Sequence, residues 1–136
     1  MEGIEVINTM MKNDYFSQWL GIKILEQKTG YVKIKMTVRK DMLNGFGIAH
    51  GGISYSLADS ALAFASNNNG IKSVSIETSI SHLTKLNEHN EIVAEAECEH
   101  QSEKLGQYKV KVYLNNPEEK LIALFRGTVY KSSKHW

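Results

Sequence analysis

Asp59 is the residue whose placement most needs a chemical reason. The run from Ile53 to Ser66 reads as one helix, dense in Leu57, Ala58, Ala61, Leu62, Ala63, Phe64 and Ala65, with apolar residues on nearly every face. A carboxylate inside such a helix is expensive to bury without a partner. Asp59 therefore faces a polar site, or it is held by a nearby hydroxyl such as Ser56 or Ser60. Immediately ahead of the helix stands Asn44-Gly45-Phe46-Gly47-Ile48-Ala49-His50-Gly51-Gly52. Glycines let a ligand approach the backbone closely, and the first amides of a helix have no intrahelical acceptor. Such amides, at the positive end of the helix dipole, suit an oxyanion or a polarised carbonyl.

Spacing adds a constraint. Gly51 and Asp59 lie roughly 12 Å apart along a helix axis, at about 1.5 Å per residue. Both cannot act on one carbonyl group within one subunit. If both are catalytic, the Asp59 of one subunit must meet the Gly51 of another, and a two-fold dimer would carry two such composite sites. The chemistry thus implies a homo-oligomer.

The segment from Asn44 to Gly70 resembles the hotdog-fold acyl-CoA thioesterases of the phenylacetate-degradation (PaaI) type. Their pattern is an Asn, five residues, His-Gly-Gly, then a Leu-Ala-Asp step in the central helix. It is matched here at Asn44, His50, Gly51, Gly52, Leu57, Ala58 and Asp59. The resemblance implies that the Gly51 amide polarises a thioester carbonyl and that Asp59 of the opposing subunit is general base or direct nucleophile. It further implies that Asn44 positions the attacking water or the acyl group, and that His50 holds the loop or contacts the thioester. Gly52 would belong to the substrate-binding turn, and Ser75, with Ser73 close behind, is the candidate hydroxyl from the following strand. One stretch departs from the pattern. Where the family has an aromatic-Leu-Arg-Pro-like step leading to the CoA groove, this chain has His82-Leu83-Thr84-Lys85, leaving Lys85 as the candidate for a CoA phosphate.

The elements that must hold these residues follow from periodicity. Ile4, Ile7, Met10 and Met11 predict a short amphipathic helix ending before Gly21. Alternation predicts strands through Ile22 and Ile24, and from Val32 to Val38, with a turn at Lys28-Thr29-Gly30. Arg39 to Ile48 reads as a loop, and Gly70 as a left-handed cap beyond the central helix. Four more strands alternate through Val74–Ile80, Ile92–Cys98, Tyr108–Leu114 and Leu121–Phe125 or Val129, with turns near 87–90, 103–106 and at Asn115-Asn116-Pro117. The expected fold is α+β: a hotdog, with a long antiparallel sheet wrapped around one central buried helix, as a single domain over residues 1–136.

Composition narrows the function classes. The chain has 136 residues, and 16 basic against 15 acidic residues spread evenly along it, without the basic footprint of a nucleic-acid binder. No apolar run approaches the roughly 20 residues of a membrane span, and the start is acidic, so the expectation is a soluble cytoplasmic protein. Cys98 is the only cysteine and lies mid-strand, which precludes an intrachain disulfide. His82, His89, His100 and His135 show no metal-ligand spacing. No Gly-x-Ser-x-Gly element or phosphate-binding glycine loop occurs. With the resemblance, the reading is an acyl-CoA hydrolase needing no metal or cofactor and assembled at least as a dimer; a dimer of dimers is what the resemblance implies. A non-catalytic acyl-CoA-binding module and a hydroxyacyl-thioester dehydratase are the alternatives. The acyl group, and CoA against an acyl-carrier protein, are left open.

Overall fold

The computed structural model describes all residues, 1–136. Two short helices, α1 (Gly3–Asn13) and α2 (Tyr15–Leu20), lead into β1 (Lys23–Lys28) and β2 (Tyr31–Thr37). A 3-10 turn at Lys40–Met42 and a tight loop then reach α3 (Gly51–Asn67). Four strands follow: β3 (Ile71–His82), β4 (Glu91–Gln101), β5 (Leu105–Leu114) and β6 (Leu121–His135). They form one sheet in the order β1-β2-β4-β5-β6-β3, with every neighbouring pair antiparallel. β3 pairs with β6 alone and forms one edge of the sheet.

The alternation of the strands sends one face inward onto α3. Val32, Ile34 and Met36 of β2, Ile92, Ala94 and Ala96 of β4, Tyr108, Val110 and Val112 of β5, and Ala123 and Phe125 of β6 are all buried there. They close over Leu57, Ala58, Ala61, Phe64 and Ala65 of α3 to make a single core. Removing about 25 cal/mol of unfavourable hydration per Å² of apolar surface is the main force that holds helix to sheet.

The structure refines five sequence expectations. The N-terminal segment is two helices rather than one, because the Asp14 carboxylate accepts the Ser17 amide at 2.9 Å and starts a new helix. α3 begins at Gly51, ahead of Ile53, since the His50 side chain serves as its N-cap. Gly70 does take the left-handed conformation (φ +92°), but two residues past the cap, where its amide donates to the Asn67 carbonyl and turns the chain into β3. β5 starts at Leu105, within the span read as a turn, and β6 continues to His135 because pairing with β3 extends to Ile71.

Asn68, which is buried, fastens the end of α3 to the β1–β2 turn. Its Oδ1 accepts the Gly30 amide at 3.0 Å, and its Nδ2 donates to the Lys28 carbonyl at 2.8 Å. Asn68→Ala would strand both groups away from water, so a loss of about 2 kcal/mol is expected, within the usual range for unsatisfied buried polar groups. A urea midpoint unchanged in the variant would show that the bracket is dispensable.

Candidate active site

The loop before α3 is a miniature hairpin closed by a bridge between Leu43 and Ala49. Asn44 organises it. Its side-chain oxygen accepts the Phe46 amide at 2.9 Å and the Ile48 amide at 3.4 Å, and Gly47, at φ +78°, returns its own amide to the Asn44 carbonyl. The Asn44 Nδ2 makes no hydrogen bond within the chain. His50 then caps the helix, its Nδ1 accepting the Gly52 amide at 2.9 Å. The Gly51 amide, one residue earlier, donates to no protein atom. It opens on a cleft of about 310 Å³ that also takes in Asn44, His50, His82, Thr84 and Lys85.

His82 is the residue that sequence reasoning left without a role. In the sequence it stands only where the family pattern has an aromatic residue, with no metal-ligand spacing to another histidine. Its ring lies across Gly51, with Nε2 3.4 Å from where a Cβ would stand. Ser54 Oγ donates to the Gly51 carbonyl at 3.3 Å and lies 3.3 Å from His82 Nδ1. The Ser54 hydroxyl thus links the Gly51 carbonyl to His82 Nδ1, and Nε2 is the ring nitrogen that lies beside Gly51. This contact joins the last residue of β3 to the first turn of α3, a tertiary meeting with no local signal in the sequence.

Asp59 sits elsewhere on α3. The sheet covers most of the helix but leaves a half-exposed stripe along Gly52, Ser56, Asp59 and Ala63, spaced so as to share one face. Expected burial on every side is therefore relieved where the carboxylate lies. Asp59 hydrogen-bonds to neither Ser56 nor Ser60; the Ser60 hydroxyl instead meets Ser17 at 2.8 Å, and Ser17 donates to Asp14 at 2.6 Å. Burial pushes the Asp59 carboxyl above the ordinary carboxylate range, and the Asp14 carboxylate adds to the rise. The cleft beside Asp59, of about 380 Å³, includes Ser73, Ser75, Met10, Leu62, Val129 and Trp136.

The proposed site residues thus fall into two groups within one chain. Asn44, His50, Gly51 and Lys85 share the first cleft, while Asp59 and Ser75 share the second. Gly52 lies between them on the open stripe of α3. A larger cleft of about 540 Å³ opens on the outer face of the sheet near Tyr31, Lys109 and Arg126. Its charges are largely spent on one another, as in the pairs Lys109–Glu97 at 3.0 Å and Lys111–Glu95 at 3.6 Å, and it contains neither Gly51 nor Asp59.

A six-stranded antiparallel sheet closed around one helix, with a glycine turn at the head of that helix, defines a hotdog protein. The family model described as the thioesterase superfamily matches residues 46–120. The acyl-coenzyme A thioesterase PaaI of Escherichia coli is 35% identical over 124 residues, which cover 91% of this chain and 87% of that protein. Its structure superimposes with a TM-score of 0.93, covering 98% of this chain and 95% of the other. A protein of Archaeoglobus fulgidus that carries an esterase name is 43% identical over 122 residues, spanning 90% of this chain and 78% of its own. This chain belongs to the thioesterase superfamily, and within it to the hotdog thioesterases of the PaaI type.

The raised Asp59 carboxyl gives a stability test whose sign is fixed. A folded-state pKa above the unfolded value means that the ionised group opposes folding at neutral pH, and that the penalty disappears once pH falls below the unfolded value. Asp59→Asn should therefore raise the melting temperature at neutral pH, and the gain should shrink as the pH drops through the carboxylate range. An Asn variant less stable than wild type at pH 7 would contradict this.

Proposed function

We propose that this protein hydrolyses acyl-CoA thioesters to free acid and CoA, with Asp59 of one subunit acting on a carbonyl held at the Gly51 amide of another. The observation that carries the reading is the pair of half-sites on α3: an amide without an acceptor at its head, and an unpaired carboxylate about two turns further on. The family membership and the acyl-CoA thioesterase name of the E. coli relative support the substrate class.

In the reaction, the thioester oxygen accepts from the Gly51 N–H. Negative charge gathers on that oxygen as the carbonyl becomes tetrahedral, at the positive end of α3. Asp59 either takes a proton from the attacking water, or attacks the carbonyl carbon itself to form an acyl-aspartyl anhydride that water opens to the free acid after CoA has left. A carboxylate raised by burial is the stronger base for the first route. The C–S bond then breaks and CoA departs as thiolate, to be protonated by solvent. Asn44, with its oxygen tied into the loop, offers Nδ2 to the water or the acyl oxygen. His50 holds the turn through Gly52, Ser75 offers a hydroxyl on the Asp59 side, and Lys85 reaches toward a CoA phosphate.

The free edge of β3 supports the shared site. Val74 and Ile76 are 64% and 60% exposed on this strand, a combination that isolated proteins avoid. The Ser75 end of β3 borders the Asp59 cleft, and the His82 end borders the Gly51 cleft. Antiparallel pairing of β3 with its copy, about a two-fold axis between Thr78 and Ser79, sets the Ser75 stretch of one subunit against the His82 end of the other. The two half-sites then face one another twice. A further pairing of dimers follows only from the family resemblance. A pure acyl-CoA binder would gain nothing from the unpaired Asp59 carboxylate.

Thiol release from a panel of acyl-CoA esters, phenylacetyl-CoA among them, tests the reaction. Asp59→Asn should lower kcat/KM by at least about a hundredfold, the usual scale for losing a general base. Wild-type protein that releases thiol from no ester would favour the binding module. For the assembly, Ile76→Lys should yield monomers in sedimentation and abolish turnover; a fully active monomer would refute the shared site.

A further inference from the structure

The size of the acyl group is written in the Asp59 cleft. Of the two half-sites, the one around Gly51 is bordered by His82, Thr84 and Lys85, suited to the polar arm of a thioester. The one around Asp59 is walled by Met10, Leu62, Ala63 and Val129, an apolar trough that runs along α3 away from the carboxylate. Its far end is stopped by the indole of Trp136.

Trp136 is fastened there by three contacts. Its indole N–H donates to Asn67 Oδ1 at 2.9 Å, its backbone amide donates to the Gly70 carbonyl at 2.9 Å, and the Lys72 ammonium lies 4.7 Å from the ring centroid. Asn67 is itself fully engaged and buried. Its Oδ1 also accepts the Ser73 amide at 2.9 Å, while its Nδ2 donates to the carbonyls of Ser73 at 3.0 Å and Ala63 at 2.8 Å. One side chain thereby ties the last turn of α3, the start of β3 and the indole into a single bracket. Asn67 stands about 12 Å beyond Asp59 along the helix, at about 1.5 Å per residue. A ring held this way is a wall rather than a loose flap.

We infer that Trp136 closes the acyl pocket and restricts the enzyme to compact acyl groups, a short chain or a single ring, against long fatty acyl chains. This rests on the reading that Asp59 works on the thioester. Within one chain the trough measures about 380 Å³, and Trp136 lines it at the Asn67 end, to which its indole is bonded. Removing the indole would join it to the solvent beyond Asn67, so that a longer chain could thread past.

The test compares kcat/KM for hexanoyl-CoA, dodecanoyl-CoA and hexadecanoyl-CoA. Wild type should favour the shortest, Trp136→Ala should raise the long-to-short ratio at least tenfold, and Trp136→Phe should keep the wild-type ranking. Because Trp136→Ala loosens the Asn67 bracket, Ala63→Leu supplies a second arm: it narrows the same trough, keeps the backbone carbonyl to which Asn67 donates, and should move the ranking further toward hexanoyl-CoA. Wild-type turnover with a ranking that neither Trp136→Ala nor Ala63→Leu shifts would overturn the wall while leaving the thioesterase reading intact. Wild-type protein inactive on every ester would instead overturn the reading on which the wall rests.

Discussion

Burying α3 requires that its one charged side chain be kept out of the core. The helix carries seventeen residues, and Asp59 is the only ionisable side chain among them apart from the Tyr55 phenol. The sheet closes on Leu57, Ala58, Ala61, Phe64 and Ala65, but Leu62 and Ala63 make other faces apolar too, so hydrophobicity alone discriminates weakly between rotations of the helix about its axis. The carboxylate discriminates strongly, because an uncompensated charge in an apolar interior is far costlier than a half-covered one. Its position selects the rotation in which Gly52, Ser56, Asp59 and Ala63 form the open stripe. From that follow the placing of Met10 from α1 and of Ser75 from β3 around the carboxylate.

The same helix axis orders the electrostatics. Its head presents amide hydrogens and its middle a carboxylate, so the two chemical functions are separated by a length that the backbone fixes. β3 passes the same two clefts, with His82 at one and Ser75 at the other. Helix and edge strand thus border the same two clefts, and in the proposed dimer one two-fold axis would serve both. The free edge of β3, unsatisfactory in a monomer, is what such an axis would use.

Much of this was legible in the chain. The two-residue alternation of Val32, Ile34 and Met36, or of Tyr108, Val110 and Val112, marks strands with one buried face, and the structure places them so. The apolar run of α3 and the loop signals around Asn44 were equally plain. What escaped were features decided between distant segments. The break at Asp14 is a side-chain cap that helical periodicity does not register, although an Asp three residues before a Ser is a local clue. The length of β6 was underestimated because Gly127, Ser132 and Ser133 interrupt its pattern, while pairing with β3 sustains it. His82 and Trp136 were unreadable for the same reason: their partners, Ser54 and Asn67, lie 28 and 69 positions away in the chain.

A site divided between two chains, as proposed for Gly51 and Asp59, would have a genetic consequence. A copy damaged at Asp59 retains an intact Gly51 half, and a copy damaged at Gly51 retains an intact Asp59. Each forms only defective pairs with itself. In a cell that holds both alleles, a mixed pair contains one site built from the two sound halves and one built from the two broken ones. Two null alleles of this gene would then complement one another, recovering at most half of the sites in each mixed dimer, whereas two alleles that break the same half would not.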